Sequence, residues 1–582
     1  MAFSVLRTGG LNYIIEIKML LFVETFLLVL CAAIAAVGYG SGLSAILQIE
    51  SNLGDRGILG LLSFGFLGCL LHFVIPLTPA VHLAILAGGV SVAVVSRTGL
   101  RNPTVVWAAA AIISIYVLSH HQSNLNYDGG LYYLQTMRWI TEHQIVPGLG
   151  NLHGRLAFNS MIFLIAGVAD HSGIGWISNL LVVLFVLISL FIRLRNVTTE
   201  GRRSGIEFWV IVLSILILSS ENHYISGWYG VLNADSFTAI LIIYWTCVAL
   251  GLSVSPHLET DLTMLVLSAV LAVAVKVSAA PLLLPTVALA WIHRKRLPAP
   301  STWRVALAAS LVLGLWMLRG ITLSGCAIYP VSQTCISALP WAESEQQVSS
   351  ESLWIRSWAR QRHELPAQVL KDRAWLPRWF SGAQHDHSIR LLVIFAPLGL
   401  IAALLRRNFH GKPAHCLLVV TSGLIGCLIF WFVTAPDPRF GEGFMLAAAL
   451  LGGSIAFAVC FDQPRFAVYV PALVVASMAL VSIRGLWRVK SDYFYAVSEA
   501  PTYQLRGPNG TRIFVPKEDT DQCWDHQLPC TPYFDPAALA RIGWPANWPV
   551  PPPGWSPDDA LGVVRKDLNG AGERDATQHP KP

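Results

Sequence analysis

Long apolar stretches separated by polar loops follow one another along the chain up to about residue 485. Most are close to 20 residues, about the length that an α-helix needs to cross the hydrocarbon core of a bilayer. The pattern therefore predicts an all-α polytopic membrane protein with about 14 spans, in a range of about 12–15. The predicted spans are 20–40, 57–75, 80–96, 103–119, 173–192, 205–220, 235–252, 263–275, 279–292, 304–320, 391–405, 415–434, 442–460 and 466–484.

These spans divide the chain into six segments. The segments are the N-terminal spans (1–119), a polar loop (120–160), a transmembrane core (161–321), a second loop region (322–389), the C-terminal spans (390–485) and a tail (486–582). Within the core, the apolar run 157–168 is too short to span and predicts a re-entrant or interface helix. We expect the tail to form a small appendage with little helix, and its composition predicts disorder after about residue 565.

The composition also favours a membrane protein over a soluble one. Of the 582 residues, 54% are hydrophobic and only 13% are charged, whereas roughly 25% are charged in soluble domains. The net charge of +6 is unevenly placed, and it indicates topology, not a nucleic-acid partner. No glycine-rich phosphate loop and no soluble α/β segment is visible, so nothing in the sequence indicates a nucleotide-binding domain.

Basic residues in the short loops predict the orientation of the spans. Four clusters of Lys and Arg fall on one face, which the positive-inside rule assigns to the cytoplasm. The clusters are Arg97 and Arg101; Arg193, Arg195, Arg202 and Arg203; Arg294, Lys295 and Arg296; and Arg406, Arg407 and Lys412. The N-terminus, the tail and the loops 120–160, 222–235, 322–389 and 435–441 are then predicted to lie outside.

The ten cysteines divide into two groups. Six lie inside apolar runs, where Cys behaves as a small hydrophobe. The other four form two close pairs in polar loops on the predicted outer side, Cys326 with Cys335 and Cys523 with Cys530. An oxidising outer face favours two disulfides, and four unrelated thiols are the alternative. The spacing and the lack of His partners argue against zinc.

The loop 120–160 carries the densest set of candidate functional residues. It is rich in Gly, aromatic and polar residues, whereas a solvated connector would be rich in Lys, Glu and Ser. Asp128 precedes two glycines, so its carboxylate can approach a substrate, take a proton from an acceptor hydroxyl or bind a divalent metal. The alternative is that Asp128 caps the helical pattern that follows it. Tyr132, His153 and Arg155 are candidate substrate-binding residues in the same loop.

A second acidic position is predicted at the start of the span 235–252. Asn233 and Asp235 lie there, after a loop with aromatic and acidic residues. Such a lining suits a sugar, because pyranose rings stack on Trp and Tyr while carboxylates hold hydroxyl groups. The alternative is helix capping, since Asp is common at helix starts.

Three cations near the predicted outer face are candidates for binding a lipid phosphate. Lys276 lies at the junction of two short spans, Arg319 ends a span, and Arg439 lies in a proline-flanked loop. The planar guanidinium of Arg can donate two parallel hydrogen bonds to a phosphate. An ionisable residue at membrane depth is energetically costly, which favours a functional role for it. The alternative for each cation is an anchor that reaches the lipid headgroups.

Five stretches resemble an uncharacterised family of large bacterial inner-membrane proteins. They are YDGGLY (127–132), IVPGLGNLHGRLAFN (145–159), SGCAIYP (324–330), APDPRFG (435–441) and CWDHQLPCTP (523–532). The architecture of that family is similar to the GT-C superfamily of glycosyltransferases. Those enzymes have many spans, an acidic residue in an early extracytoplasmic loop and polyprenyl-phosphate sugars as donors. Their loop usually follows the first span, whereas about four spans precede it here, which implies an N-terminal addition or a different fold.

The resemblance implies a GT-C-like transferase in the bacterial inner (plasma) membrane, with its active face extracytoplasmic. It would move a sugar from a polyprenyl-phosphate-linked donor to a glycan or lipid acceptor. Asp128 would serve as base or as acceptor or metal ligand, and Asp235 would be a second acidic site. Lys276, Arg319 and Arg439 would bind the donor phosphate. The implied partners are the bilayer, the donor and the acceptor, with no nucleic acid, and a divalent metal is the one cofactor considered.

Two other functions compete with this hypothesis. A surface-polysaccharide polymerase or ligase would use the same outer face, but its site would rest on arginines without an acidic base. A transporter of a lipid-linked or small polar substrate would carry charged residues within its spans and show repeated halves. No repeated halves are visible in the sequence.

Overall fold

The computed structural model describes residues 11–96, 127–170, 177–199, 205–219, 232–296, 298–362, 364–405, 412–461, 502–506, 511–517 and 520–544. Helices make up most of this part of the chain. They are α1 (Leu11–Leu47), α2 (Leu53–His72), α3 (Pro79–Val95), α4 (Leu134–Glu142), α5 (Met161–Ala169), α6 (Ile177–Thr199), α7 (Gly205–Ser219), α8 (Ala234–Gly251), α9 (Leu258–Val275), α10 (Leu283–His293), α11 (Ala299–Ser324), α12 (Glu345–Trp358), α13 (Pro366–Val369), α14 (Trp375–Ala383), α15 (His387–Leu405), α16 (Lys412–Thr434), α17 (Pro438–Cys460) and α18 (Pro536–Leu539).

Ten helices within these ranges are long and apolar enough to cross a membrane, and α3 and α7 are shorter apolar helices. The prediction of a helical, multi-pass membrane protein is therefore confirmed. One candidate span, Val277–Arg296, begins with the 3₁₀ turns of Val277–Leu282. Pro281 lies there and lacks the N–H that a regular α-helix would use. The predicted spans 103–119 and 466–484 lie outside the described residues.

Helix α8 lies at the centre of the bundle. All of its residues from Asp235 to Gly251 are buried, and Phe237, Tyr244 and Trp245 are among the largest fully buried side chains. It packs against α6, α7, α9, α16 and α17. A helix that is apolar all round needs such neighbours on every side.

The outer surface of the bundle is apolar where α16 faces away from the core. Leu418, Ile425, Ile429 and Val433 recur at helical spacing on this helix and are all more than half exposed. A stripe of exposed branched side chains is stable in lipid but not in water. The helix thus presents one face to the bilayer and the opposite face to α8 and α17.

The short helix α5 matches the predicted apolar run 157–168 in part. All nine of its residues are buried by protein, and nine residues extend only about 13 Å along a helix axis. It is therefore too short to cross a bilayer, as predicted. Because neighbouring helices cover it fully, it does not lie on an exposed interface.

A buried ion network joins four helices at the end of the bundle that carries Arg193. The Arg193 guanidinium donates to Asp261 Oδ1 at 2.7 Å and to Asp55 Oδ2 at 3.1 Å. Tyr244 donates to the other oxygen of Asp55 at 2.7 Å. These contacts connect the starts of α2 and α9 with α6 and α8. All the charges in this network have protein partners, so we assign it a structural role.

The described part of the tail contains little helix, as predicted, and it forms a small sheet. Two strands, β1 (Thr502–Arg506) and β2 (Arg512–Pro516), pair antiparallel with Leu505 opposite Ile513. Aromatic and β-branched residues on these strands favour extended structure. A two-stranded ribbon is marginal by itself, and here Phe514 also exchanges backbone hydrogen bonds with Pro529 and Thr531.

Both predicted disulfides are formed. Cys326 is bonded to Cys335, and Cys523 is bonded to Cys530. The second bridge closes a loop that packs directly against the polar loop 120–160. We expected the tail to form a small appendage, but its residues 520–544 are part of the same packed unit as the loop 120–160.

Candidate functional site

A π-helical turn, Gly129–Tyr133, places Asp128 at the entrance to α4. The carboxylate of Asp128 makes no capping hydrogen bond to this turn, although it stands at the N-cap position. The alternative role as a helix cap is therefore wrong. Gly130 allows the ring of Trp524 to pack against the backbone, since a Cβ at this position would lie 2.6 Å from Trp524 Cε2.

Asp128 belongs to a group of four charged residues that we call the ion cluster: Asp128, Asp235, Lys276 and Arg439. Arg439 Nη2 lies 3.0 Å from Asp128 Oδ2, and Arg439 Nε lies 3.3 Å from Asp235 Oδ2. The ammonium of Lys276 pairs with the other oxygen of Asp235. Two carboxylates and two cations thus form a neutral chain in which Arg439 bridges the acids.

Local backbone structure explains how these side chains meet. Arg439 lies in the first turn of α17, where Asp437 caps the helix by accepting from the Arg439 N–H at 3.0 Å and Pro438 occupies the first position. Lys276 is the C-cap of α9. Asp235 lies in the first turn of α8, a favourable place for a negative charge.

Aromatic rings surround the cationic part of the ion cluster. The Lys276 ammonium lies 4.4 Å from the centre of the Phe440 ring, and the Arg439 guanidinium lies 5.9 Å from that of Trp358. The pairing and the aromatic contacts compensate for the loss of hydration that partial burial of these charges causes. Burial of Lys276, with a contribution from Arg439, lowers the pKa of its ammonium to about 7, while Asp437 and Asp128 favour the charged form.

The ion cluster lines a cavity of about 1630 Å³. One part of its lining comes from the helices of the bundle and the residues next to them and is largely apolar; we call it the span-borne wall. It includes Phe163, Val275, Val277, Phe430, Trp431, Ala435 and Phe440. The other part comes from three polar segments, 150–155, 343–354 and 520–541; we call it the loop-borne wall. It includes Asn151, His153, Arg155, Glu343, Gln347, Glu351, Trp354, Asp521, Tyr533 and Arg541.

Direct contacts hold the three polar segments of the loop-borne wall together. Arg541 donates to Asn151 Oδ1 at 3.0 Å and to Gln347 Oε1 at 2.6 Å. Arg155 lies 3.5 Å from Glu351. The Thr531 hydroxyl donates to the Leu152 carbonyl at 2.7 Å. The wall is therefore one structure, although its parts are far apart in sequence.

Burial shifts the pKa of two residues in this wall. It lowers the pKa of His153 to about 3, with a further contribution from Arg155. His153 is therefore neutral near pH 7, and its Nδ1 accepts from the Arg155 backbone N–H at 3.0 Å. Burial raises the pKa of Glu343 to about 8, while the hydroxyl of Tyr329 donates to its carboxyl at 3.0 Å.

Most of the predicted site residues face this one cavity. Asp128, Tyr132, His153, Arg155, Asp235, Lys276 and Arg439 all line it. Asn233 does not, because its side chain caps α8 by accepting from the N–H groups of Asp235 and Ser236 and is fully buried. The capping alternative therefore holds for Asn233, and its predicted role as a substrate contact has no support in the geometry.

Arg319 is separate from the ion cluster. It is buried on α11 and donates to Asn159 Oδ1 at 2.7 Å. It lines a small pocket next to His72 and Trp139 and does not face the large cavity. The prediction that Arg319 joins Lys276 and Arg439 in one phosphate site is therefore wrong, because the side chain points between helices.

A metal ion was one predicted ligand of the acidic residues. In the part of the chain that the structure describes, no three His, Cys, Asp or Glu side chains come together to hold a metal. The two acids of the ion cluster are bridged instead by the Arg439 guanidinium.

Several cavity residues were not singled out by the sequence. Glu343, Tyr533 and Arg541 lie in loops, and Glu351 lies on the polar helix α12. The proximity of Cys523 and Cys530 was the one signal that the tail is folded near this side.

A family model described as Domain of unknown function (DUF8201) matches residues 19–446. The chain belongs to this family. The matched region contains all four residues of the ion cluster, and it ends before the tail segment that completes the loop-borne wall. No curated protein and no solved structure matches the chain.

Proposed function

We propose that this DUF8201 protein is a GT-C-like membrane glycosyltransferase. It transfers a sugar from a polyprenyl-phosphate-linked donor to a glycan or lipid acceptor at the extracytoplasmic face. The observation that carries the proposal is the ion cluster at the wall of a large cavity, where an acid that can act as a base lies beside two cations.

The span-borne wall suits a donor that is part lipid and part phosphate. Its aromatic and aliphatic side chains continue from the ion cluster to α16, whose outer face is apolar. Phe430 of α16 lines the cavity and is partly exposed. A polyprenyl chain fits such a surface, while Arg439 and Lys276 offer the cationic groups that bind phosphate.

Charge balance suggests how the donor activates the site. Without a substrate, the two cations of the ion cluster are neutralised by Asp128 and Asp235. A donor phosphate that binds Arg439 replaces Asp128 at the guanidinium and leaves that carboxylate without its cation. Loss of a positive neighbour raises the pKa of a carboxylate and makes it a better base.

The transfer then follows from these positions. The acceptor hydroxyl oxygen attacks the anomeric carbon of the donor sugar and forms the new glycosidic bond. The bond between the anomeric carbon and the phosphate oxygen breaks, and both of its electrons remain on the leaving polyprenyl phosphate. The proton of the hydroxyl passes to Asp128, and Arg439 and Lys276 stabilise the charge that develops on the phosphate.

The orientation supports an outer active face. Both disulfides lie on the side of the bundle that carries the cavity, and disulfides persist in oxidising compartments. Asp261, which pairs with Arg193, begins α9, and Lys276, which lines the cavity, ends it. The basic end of α6, which carries Arg193 and Arg195, therefore lies at the opposite end of the helices, which suits the positive-inside rule and a bacterial inner-membrane location.

A comparison of lipid-linked sugars and surface glycans tests the proposal. A deletion strain of the source organism would carry the wild-type gene, Asp128→Asn or the control Glu142→Gln. Glu142 is an acid of the same loop that pairs with Arg138 and does not line the cavity. Mass spectrometry at matched protein levels should show that Asp128→Asn lacks a sugar on the glycan and accumulates its lipid-linked donor, while Glu142→Gln resembles wild type.

The outcomes separate the competing functions. If Asp128→Asn matches wild type, Asp128 is not the base and the transferase proposal fails. A loss of glycan chain length without loss of any one sugar would indicate a polymerase or ligase. Arg319 does not contribute to this distinction, because its buried position makes any effect of its removal structural.

A further inference from the structure

The loop-borne wall has a surface chemistry that the transfer step does not use. Two aromatic residues on it are exposed: Tyr533 is 59% exposed and Trp354 is 39% exposed. Both line the cavity. Large exposed rings are unfavourable in water, and in a cavity they indicate a ligand that covers them.

Polar groups beside these rings favour a ligand rich in hydroxyls. The carboxylate of Glu351 lies at the cavity surface and is paired to Arg155. The oxygen of Gln347 accepts from Ser344 and Arg541, so its NH₂ group is the part left for a ligand. Amide donors, carboxylate acceptors and aromatic faces together match the two faces and the hydroxyl edge of a pyranose ring.

We propose that the loop-borne wall is a carbohydrate subsite that holds the acceptor glycan, with Tyr533 and Trp354 as the rings on which its sugars stack. Its role as the acceptor subsite rests on the proposed transferase function. The binding of carbohydrate to this wall stands on the local geometry alone.

The tail determines the character of this subsite. Tyr533 and Arg541 come from residues 520–544, beyond the region 19–446 that the family model matches. Tyr533 stacks near the neutral His153 ring at 5.2 Å, and Arg541 fixes the side chains of Asn151 and Gln347. The ion cluster, in contrast, lies wholly within the matched region. The ion cluster, which binds the donor, thus lies in the region that the family model matches, whereas the tail selects the acceptor.

A binding titration tests the subsite without relying on turnover. The probe is the surface glycan purified from the deletion strain, titrated into the full-length protein in nanodiscs. Tyr533→Ala should weaken binding about tenfold, which corresponds to about 1.4 kcal/mol. Tyr533→Phe keeps the ring and should bind nearly as wild type does. The control is Tyr503→Ala, because Tyr503 is another exposed tyrosine of the tail, at 45%, and does not line the cavity.

The results keep the two proposals apart. Equal affinity of Tyr533→Ala and wild type, or no binding of the glycan to wild type, would overturn the subsite. Asp128→Asn should lose transfer but keep glycan binding. If the deletion leaves every surface glycan unchanged, the transferase proposal fails, while Tyr533-dependent binding would still support a carbohydrate site.

Discussion

Removal of Arg439 gives the sharpest test of the ion cluster. Arg439→Ala leaves Asp128 and Asp235 facing each other with one cation, so the cluster changes from neutral to a net charge of −1. Loss of one partner of a buried ion pair costs about 3–5 kcal/mol. The Arg439 side chain is 28% exposed, so solvent screens part of this cost and we expect about 2–3 kcal/mol.

A second substitution should recover part of this loss. In Asp128→Ala with Arg439→Ala, the remaining pair of Asp235 and Lys276 is neutral again. The double variant should therefore be more stable than the sum of the single changes predicts, by about 0.5–3 kcal/mol. Unfolding by SDS in mixed micelles, followed by tryptophan fluorescence, measures the four free energies of this cycle.

A surface pair provides the matched control for the cycle. Arg378 and Glu364 lie 2.8 Å apart, but the Arg378 side chain is 65% exposed. Such pairs contribute about 0–1 kcal/mol, so the same cycle there should be close to additive. Additivity within about 0.5 kcal/mol at Asp128 and Arg439 as well would refute the argument that charge compensation holds the cluster together.

Three other predictions concern the surroundings of the site. Burial raises the pKa of Glu343 from 4.5 to about 8, so between these pH values the folded chain holds a proton there that the unfolded chain has lost. The free energy of unfolding should therefore fall as pH rises from 4.5 to about 8. Glu343→Gln should flatten this fall in a series of thermal unfolding measurements at different pH. Serine at both Cys523 and Cys530 should speed hydrogen exchange in 127–142, because Gln135 and Arg138 donate to the backbone of the loop that this disulfide closes. Asn233→Ala should lower the free energy of unfolding by about 1 kcal/mol through loss of the α8 cap, and Asn233→Ser should lower it less.

Each of these has a result that would contradict it. An unchanged slope of stability with pH in Glu343→Gln would show that this carboxyl is not the group that titrates. If hydrogen exchange in 127–142 is as slow without the Cys523–Cys530 disulfide as in the wild-type protein, the tail loop does not support α4. Stability equal to wild type in Asn233→Ala would mean that water replaces the cap.

The residues of the ion cluster could be predicted one by one because each lies in a predicted outer loop or at the end of a predicted span. Successive spans cross the bilayer in opposite directions, so each of their ends lies at one of the two membrane faces. The Lys and Arg residues of the short loops predict which face is cytoplasmic. This reasoning predicts that Asp128, Asp235, Lys276 and Arg439 lie at the same face. Their mutual distances depend on how the helices pack around α8, which hydrophobic runs do not encode.

Arg319 shows the limit of the same reasoning. Like Lys276, it is a cation at a span end. The direction of its side chain depends on the rotation of α11 about its axis. Arg319 and Trp316, both on α11, donate hydrogen bonds to Asn159 and fix this rotation. A helix that is apolar on all sides has no polar face from which its rotation about its axis could be predicted. The sequence therefore cannot distinguish a cation that lines a cavity from one buried between helices.

The loop-borne wall was beyond prediction for a different reason. Its residues come from loops and from the polar helix α12, and contacts across long sequence separations define it. The Tyr127 hydroxyl, for example, donates to Asp521 at a separation of 394 residues. Two neighbouring cysteines indicated an ordered tail, but they carried no information on what it packs against.

The long separation between these two contacting segments also sets the timing of assembly. At about 5–20 residues per second of synthesis, the segment that carries Asp521 leaves the ribosome about 20–80 s after Tyr127. Until then the membrane holds a nearly complete bundle whose cavity lacks the tail part of the loop-borne wall. The cavity of a nascent chain should therefore take its final form only after this tail segment has been made and has packed against the bundle.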